Sequence, residues 1–341
     1  MDIQPIRCIE HLSALQPEWL DLYARAGDAT PFQRPEWLLP WWDVFGSGEM
    51  FSFAARAGGR LVAVAPMFLH AWNNRRQVTF LGNGVSDHLG FLLDAAYARE
   101  ATSAILDAIA DERARWDLCD LQDLAARSVL CGAASLNQTA HALRPQYTCT
   151  YISLPPSWDE YHEKLPHGLR RNLRRYRERL DGLGRVTFES VREPQAIGEI
   201  FDALVSLHRA RWESKNDAGM LGTSALERFH RAAARALASA GIVRLHALRV
   251  DGRIVAVVYL LIDGARAYSY LGGFDPALSR YSPGALALEY ALKQCVAEGV
   301  RVFDFLRGEE AYKADWGAVK ETSYRLLLWH DQAPLDLLEA A

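Results

Sequence analysis

The segment AARAGGRLVAV (residues 54–64) recurs as ALRVDGRIVAV (residues 247–257), aligned without a gap. Alanine, arginine, glycine, arginine, valine, alanine and valine stand at the same places in both copies. Each copy reads as a strand, a tight turn at Gly58-Gly59 or Asp251-Gly252, and a second apolar strand. The favoured hairpin turns need positive φ, which Gly-Gly and Asp-Gly supply. One copy predicts a hairpin. Two predict a duplicated domain.

The flanking segments repeat in the same order. QVTFLGNG (77–84) and AYSYLGGF (267–274) each read as a strand ending in glycines. A helix is predicted after each, around 97–114 and around 283–298. In the second helix Ala285, Leu288, Leu292 and Cys295 form one apolar stripe. Each half then carries a short strand with a central aspartate, LCDLQDL (118–124) and VFDFLRG (302–308). Helices are also predicted before each hairpin. Leu12, Leu15, Trp19, Leu22 and Tyr23 mark one, Ile197, Ile200, Phe201, Leu204, Leu207 and His208 a second, and Leu226, Phe229, Ala233 and Leu237 a third. The aromatic run Trp37, Trp41, Trp42 and Phe45 reads as core or domain interface before it reads as a ligand platform. Residues 145–166, with Pro145, Pro155, Pro156 and Pro166, read as the connection between halves. The predicted domains are therefore 1–150 and 151–341.

Composition bounds the function. The 341 residues carry a net charge of −4, which argues against wholesale coating of nucleic acid but leaves room for a local basic patch. The N-terminal MDIQPIRCIEHL lacks the basic start and apolar run of a signal peptide. No stretch approaches the roughly 18 apolar residues of a membrane span. A soluble, cytoplasmic protein is expected. Cys8, Cys119, Cys131, Cys149 and Cys295 are widely spaced and form no CxxC pair, so they read as reduced thiols and no metal site is predicted.

Helix, helix, hairpin, strand, helix, strand is the order of elements in the GNAT fold. The C-terminal half resembles the GNAT branch that holds the FemAB-type peptidyltransferases and the CelD-like acetyltransferase-domain proteins of cellulose biosynthesis. The resemblance rests on LRRNLRRYRERL (169–180), LHRARW (207–212), YLGGFDPALSRYSPGALALEYAL (270–292) and FDFLRGEEAYKADWGA (303–318). PFQRPEWLLPWW (31–42) and GVSDHLGFL (84–92) in the first half resemble the same group. The expected fold is α/β, an α+β mixed sheet in each of two tandem GNAT-like domains in a FemAB-like arrangement. The first domain is expected to be degenerate and the second to hold the acyltransferase.

The resemblance implies an acyl-coenzyme A co-substrate lying where two central parallel strands splay apart, with no permanently bound cofactor. Its pyrophosphate would meet the helix that opens at Ser279-Arg280-Tyr281-Ser282-Pro283-Gly284-Ala285, since helix N-termini attract phosphate. Arg280, Tyr281, Ser282, Gly284 and Ala285 are the candidate cofactor-binding residues. Proline at the first turn loses no hydrogen bond. It nevertheless stands where the usual Arg/Gln-x-x-Gly-x-Gly/Ala loop has its first glycine. Ser282-Pro283 also reads as an ordinary helix cap.

Acyl transfer to an amine needs a proton acceptor, a donor to the tetrahedral oxyanion and an acid for the leaving thiolate. The candidate catalytic residues are Asp87 and His88 in the first half and Tyr270, Asp304 and Lys313 in the second. The FemAB resemblance implies a first-half acid and a second-half lysine near the substrate, positions that Asp87 and Lys313 match loosely. Each has a plainer alternative. Asp304 has a counterpart in Asp120 and reads equally as a brace, His88 as a loop histidine, and Lys313 as an exposed cation beside Trp316.

The basic stretch holds Arg170, Arg171, Arg174, Arg175, Arg177 and Arg179. On a helix 170, 174 and 177 lie together, as do 171, 175 and 179. Arg170, Arg171, Arg174 and Arg175 are the candidate anion-binding residues, since the guanidinium fork suits phosphate and carboxylate. A solvated face balanced by Glu178 and Asp181 is the alternative. The function expected first is transfer of an acyl, probable acetyl, group from acyl-CoA to an amine or hydroxyl of a sugar or cell-surface precursor in polysaccharide production. A FemAB-like transferase using aminoacyl-tRNA and a non-catalytic GNAT pair stand as alternatives, with tRNA or an acyl carrier protein as lesser partners.

Overall fold

The repeated dipeptides make the turns their chemistry demands. In this computed structural model, which describes residues 1–132, 140–213 and 219–330, Gly58 and Gly59 have φ of 56° and 80°. Asp251 and Gly252 have φ of 46° and 80°. Two successive positive values define the primed turn whose twist matches paired strands.

The chain runs β1 (Asp2–Ile6), α1 (Ile9–Ala14), α2 (Gln16–Arg25), α3 (Pro35–Phe45), β2 (Glu49–Met50), β3 (Ser52–Ala57), β4 (Arg60–Ala65), β5 (Met67–Trp72), β6 (Arg75–Phe80), β7 (Leu92–Leu93), α4 (Ala98–Asp111), β8 (Leu118–Leu124) and β9 (Ala140–Ser153). It continues α5 (Trp158–Lys164), α6 (His167–Asp181), β10 (Val186–Val191), α7 (Ile197–Glu213), α8 (Ser224–Ser239), β11 (Val243–Val250), β12 (Arg253–Asp263), β13 (Arg266–Phe274), α9 (Pro283–Ala297), β14 (Val302–Arg307), α10 (Ala311–Asp315) and β15 (Val319–Trp329). None of the helices among the described residues is long and apolar enough to cross a membrane.

Two compact units result: Met1–Thr148 with the chain from Thr322 onward, and Cys149–Glu321. The sequence predicts one cut at 150/151, whereas the chain re-enters the first unit at Thr322. Arg325 on β15 anchors that return through an ion pair to Asp120 of β8, which is 1% exposed at its side chain. Residues 145–166, read as the connection between halves, contain the unit boundary at Thr148/Cys149. They hold the end of β9 and all of α5, and Pro155, Pro156 and Pro166 punctuate the breaks between β9, α5 and α6.

In the second unit the strand order is β10-β11-β12-β13-β14, followed by Cys149–Ser153 of β9. Every pairing is antiparallel except β13 with β14. Side chains alternate along β12. Val258, Leu260 and Ile262 join the core built by α9, α5 and α6, while Tyr259 meets Phe201 of α7 with ring centroids 6.0 Å apart. Since successive residues of a strand face opposite ways, α9 and α7 cover opposite faces.

The first unit repeats this plan with a break. The counterpart of β12 is interrupted at Pro66, giving β4 and β5. β4 joins β1, β3 and β7 in one sheet, while β5 pairs with β2 and β6, beside β8 and β15. Proline cannot donate to a ladder, so the strand changes partners there. Of the aromatic run, Trp37 and Trp41 are buried, while Trp42 and Phe45 are half-buried. Trp19 and Trp37 are fully buried, and their indole N–H groups donate to the Gln33 carbonyl (3.0 Å) and Ser86 Oγ (2.9 Å). Cys119, Cys149 and Cys295 are buried free thiols.

α7 crosses β13 at close range. A Cβ on Gly273 would lie 2.8 Å from the backbone N of His208. Gly273→Ala should therefore lower unfolding stability by about 2 kcal/mol, the cost of overpacking against backbone. Gly198→Ala at the start of α7, where a Cβ meets nothing within 4 Å, should leave it unchanged or slightly raised. Urea denaturation of both variants checks the contrast.

Candidate active site

The parallel strands β13 and β14 share three rungs, Arg266↔Val302, Ala267↔Phe303 and Tyr268↔Asp304. Beyond these they part, although β13 continues to Phe274 and β14 to Arg307. Each strand carries an irregularity at that place. On β13, Tyr270 is an extra residue between Ser269 and Leu271, which pair with Leu260 and Tyr259. On β14, Phe305 and Leu306 stand opposite one residue of β9 between the pairs Asp304↔Tyr151 and Arg307↔Cys149, and Leu306 has φ of 61°. A bulge bends its strand and increases its twist, so two at one level separate the strands.

Asp304 sits at the last rung, 1% exposed. Its Oδ2 accepts from Arg266 Nη2 at 2.9 Å, and its Oδ1 accepts the Leu306 N–H at 2.8 Å. Tyr270, also buried, turns its ring toward the α7 and α8 side, 5.4 Å from His230 and 5.8 Å from Tyr259. Lys313, expected as an exposed cation or a substrate contact, is 3% exposed and committed to its own turn. Its ammonium donates to the carbonyls of Phe305 (3.3 Å), Arg307 (3.0 Å) and Gly308 (3.0 Å) and pairs with Glu310 at 2.9 Å. Those bonds hold the carboxyl end of β14. Burial alone would raise the Glu310 pKa, but the hydrogen bond and charge of Lys313, the Glu310 backbone N–H and Arg211 together hold the carboxyl below its ordinary value.

At the carboxyl end of β13, Arg211 of α7 lies over the Phe274 ring at 5.2 Å. Burial, with Glu310 beside it, pushes the Tyr312 phenol up to about 12, opposed by Arg211. Sequence reasoning missed this group. The usable signal is the i, i+3, i+4 spacing of His208, Arg211 and Trp212 within LHRARW, which puts them on one side of the last turns of α7.

The helix α9 opens beside the same ring. A Cβ on Gly284 would lie 3.2 Å from the Phe274 side chain. Ser282 has φ of 49° and makes no side-chain cap bond, so the ordinary capping role does not hold. Pro283 has no N–H, and the amides of Ala285 and Leu286 bond to the Ser282 carbonyl. Gly284 is left as the free donor of the first turn. Arg280 folds onto Tyr281, its Nη2 donating to the phenol oxygen at 2.7 Å. The predicted phosphate loop thus offers one free amide and one guanidinium.

In the first unit the equivalent split is closed by the chain itself. β6 and β8 pair at Gln77↔Leu118 and Val78↔Cys119. Past that point Leu89 bridges to Leu124, and its N–H donates to the Asp123 carbonyl at 2.9 Å. Ser86 Oγ fastens the wedge to the Gly82 carbonyl at 2.8 Å. Asp87 and His88, predicted as catalytic, lie buried in this wedge, with the His88 carbonyl accepting from Thr30 Oγ1 at 3.1 Å. A cavity of about 200 Å³ adjoins the wedge, lined by Thr30, Gln33, His88, Arg127 and Ser128 among others. Gln33 is already satisfied there by the Thr30 N–H and the carbonyls of Gly90 and Phe91. Of the five predicted catalytic residues, Tyr270, Asp304 and Lys313 gather around β13 and β14. Asp87 and His88 belong to the other unit.

The basic helix α6 buries Leu173 and Leu180 against the α9 core. Arg177 pairs with Glu289 at 3.2 Å, and Arg174 reaches Glu178 only at 3.8 Å. Arg171, Arg174, Arg175 and Arg179 are exposed, while Arg170 is half-buried. Arg175 donates to Asn172 at 3.3 Å. The helix also packs against the 3-10 turn Pro276–Tyr281 that leads into α9. Its arginines therefore stand on the approach to the predicted phosphate loop.

Comparison with known proteins agrees with this geometry. Residues 167–314 match the family described as Acetyltransferase (GNAT) domain. That stretch runs from the start of α6 into α10 and contains the whole split. A solved structure of FemX is 12% identical and covers 99% of each chain, with a TM-score of 0.70. L-PGS from Bacillus licheniformis is 12% identical over 95% of this chain and 94% of its own, with a TM-score of 0.58. A tandem GNAT protein from the clavulanic acid biosynthesis pathway is 12% identical over 97% and 100%, with a TM-score of 0.52. At these identities the likeness is one of fold. No curated protein sequence matches the chain. Residues 167–314 thus match the GNAT acetyltransferase domain model, and the chain has the tandem-GNAT, FemAB-like fold.

Three histidines in the second unit are held neutral. Burial, with arginines nearby, pushes His208 down to about 4 and His246 to about 3, and burial with His208 nearby pushes His230 to about 3. The neutral form is favoured only in the folded chain, so the unfolded chain binds more protons below the ordinary value of about 6.5. Stability contributed by these groups is full above about pH 6.5 and lost as the pH falls toward their folded values. Unfolding near pH 5 should take up about three protons through them, and His230→Leu should remove about one, read from the pH dependence of urea denaturation. Lys313→Met leaves three carbonyls without their donor and should destabilise by about 3 kcal/mol, since hydrogen bonds from a charged donor are the stronger class. Chemical denaturation measures that loss.

Proposed function

We propose that the second unit transfers an acyl group, taken to be acetyl, from acyl-CoA to an amine or hydroxyl of a sugar or cell-surface precursor. The observation that carries this reading is the contrast between the two splits: β13 and β14 part after three rungs and the chain leads away into α9, whereas Leu89 returns to bridge Leu124 beside β6 and β8. An extended thioester arm needs unpaired strand edge to lie against, which the ends of β13 and β14 supply among the described residues. Acyl-CoA is a co-substrate, with no resident cofactor. The reaction is set in the cytoplasm and in polysaccharide production, as expected from the sequence.

In this reading the parted strands position the thioester carbonyl, and the Gly284 amide with Arg280 meets the pyrophosphate. The acceptor heteroatom bonds to the thioester carbonyl as the C–S bond breaks, the Tyr270 phenol on the bulge gives its proton to the leaving thiolate, and the proton released by the acceptor returns to the phenolate. Asp304 and Lys313 hold the two sides of the gap. Asp87 and His88 support the fold of the first unit.

A second reading, transfer from aminoacyl-tRNA, is favoured by Arg171, Arg175 and Arg179. They are exposed, stand at i, i+4 and i+8, and have no carboxylate partner among the described residues. A stripe of that kind suits a polyanion. Thermal unfolding separates the readings. Acetyl-CoA at about 100 times its Kd should stabilise by about 2.7 kcal/mol. A shift with charged tRNA alone would transfer the case to the second reading, and no shift with either would leave a binding module. Arg174→Glu with Arg175→Glu should weaken anion binding at low salt at least tenfold. Unchanged binding would remove α6 from the contact surface.

A further inference from the structure

On β14 the Val302 N–H donates to the Ala265 carbonyl at 3.1 Å. N–H groups alternate sides along a strand, so those of Val302, Asp304 and Leu306 start on the β13 side. In a continued parallel ladder the Leu306 N–H would meet the Ser269 carbonyl, one rung beyond Tyr268↔Asp304. It is instead taken by Asp304 Oδ1 at 2.8 Å, with Leu306 turned into positive φ. The same carboxylate, through Oδ2, holds Arg266 at the first rung.

We propose that Asp304 is a positioning residue that keeps the acyl-donor split open by occupying the N–H that would otherwise zip β14 onto β13. The inference rests on the split being the donor site, and it assigns Asp304 no contact with substrate. A fully buried carboxylate is a costly way to satisfy one amide unless its placement matters, because desolvation opposes it. The first unit bears an independent copy of the arrangement. Gln122 and Asp123 stand opposite one residue of β15, and Asp123 has φ of 58°. Its N–H is taken by Gln146 Oε1 at 2.8 Å. There too a side chain, and not the neighbouring strand, holds the amide of the left-handed bulge residue. The gap that results is filled by residues 85–90, and the acceptor there comes from Gln146 of β9, while Asp120, the counterpart of Asp304, pairs with Arg325.

Two conservative variants of the full chain separate positioning from simple bracing. Asp304→Asn keeps an acceptor for Leu306 while weakening the pair with Arg266. Asp304→Glu keeps the charge for Arg266 but carries its oxygens too far from the Leu306 amide. Acetyl-CoA affinity should stay within threefold of the parent for Asp304→Asn and fall at least tenfold for Asp304→Glu, with both proteins folded by circular dichroism. The reverse order would show that the ion pair, and not the capped amide, is what counts, and would overturn the proposal. A second readout does not depend on any ligand. Asp304→Glu, unlike Asp304→Asn, should show a new cross-strand amide contact between residue 306 and residues 269–270 by NMR. If the parent fails to bind acetyl-CoA, the donor assignment falls while this contact still decides the role of Asp304. Absence of the contact in Asp304→Glu defeats it. Should Asp304→Glu not fold, Asp304→Ala, which also removes the acceptor, carries the same two expectations.

Discussion

One buried carboxylate sits where two demands on the β14 strand conflict. A parallel strand lowers its free energy by continuing to pair, because every unpaired amide must find another partner. A site between strands requires that pairing stop. Asp304 reconciles the two by giving the next amide a side-chain acceptor, so the strand ends its ladder without an orphaned donor. The carboxyl end of β14 is then gathered by Lys313, whose ammonium donates to the carbonyls of Phe305, Arg307 and Gly308. The split, its depth and the groups at its mouth all follow from that replacement.

The two units show what the arrangement can become. Each has a parallel pair that stops after a few rungs, a left-handed residue on the departing strand and a side chain on its amide. In the first unit the residues after β6 return into the gap, with Trp37 and Ser86 fixing the wedge. In the second, the residues after β13 lead away through a 3-10 turn into α9. Duplication of the chain thus yields one gap that the chain itself fills and one from which the chain leads away.

Some predicted site residues changed meaning for identifiable reasons. Lys313 looks exposed in AYKADWG because a short polar stretch gives no sign of burial, yet the carbonyls of Phe305, Arg307 and Gly308 draw it inward. Asp87 and His88 look like a catalytic pair because polar residues after a strand often face a cleft. Here that stretch folds back into the sheet. Arg211 was passed over because a cation at the end of a helix is ordinary, and only its approach to Phe274 distinguishes it.

The duplication, the hairpins, the helix stripes, the tryptophan core and the arginine-rich face of α6 were all legible in the sequence. Each depends on contacts or torsions within a few residues: a Gly-Gly or Asp-Gly turn, a period of two or of 3.6, a run of like charges. Whether a strand pair stays open, which amides remain free at the start of α9, and where β15 returns depended on the tertiary structure. Those outcomes are set by competition between partners distant along the chain, Asp304 Oδ1 against Ser269, Leu89 against empty space, Asp120 against solvent for Arg325. Nothing local records which partner wins.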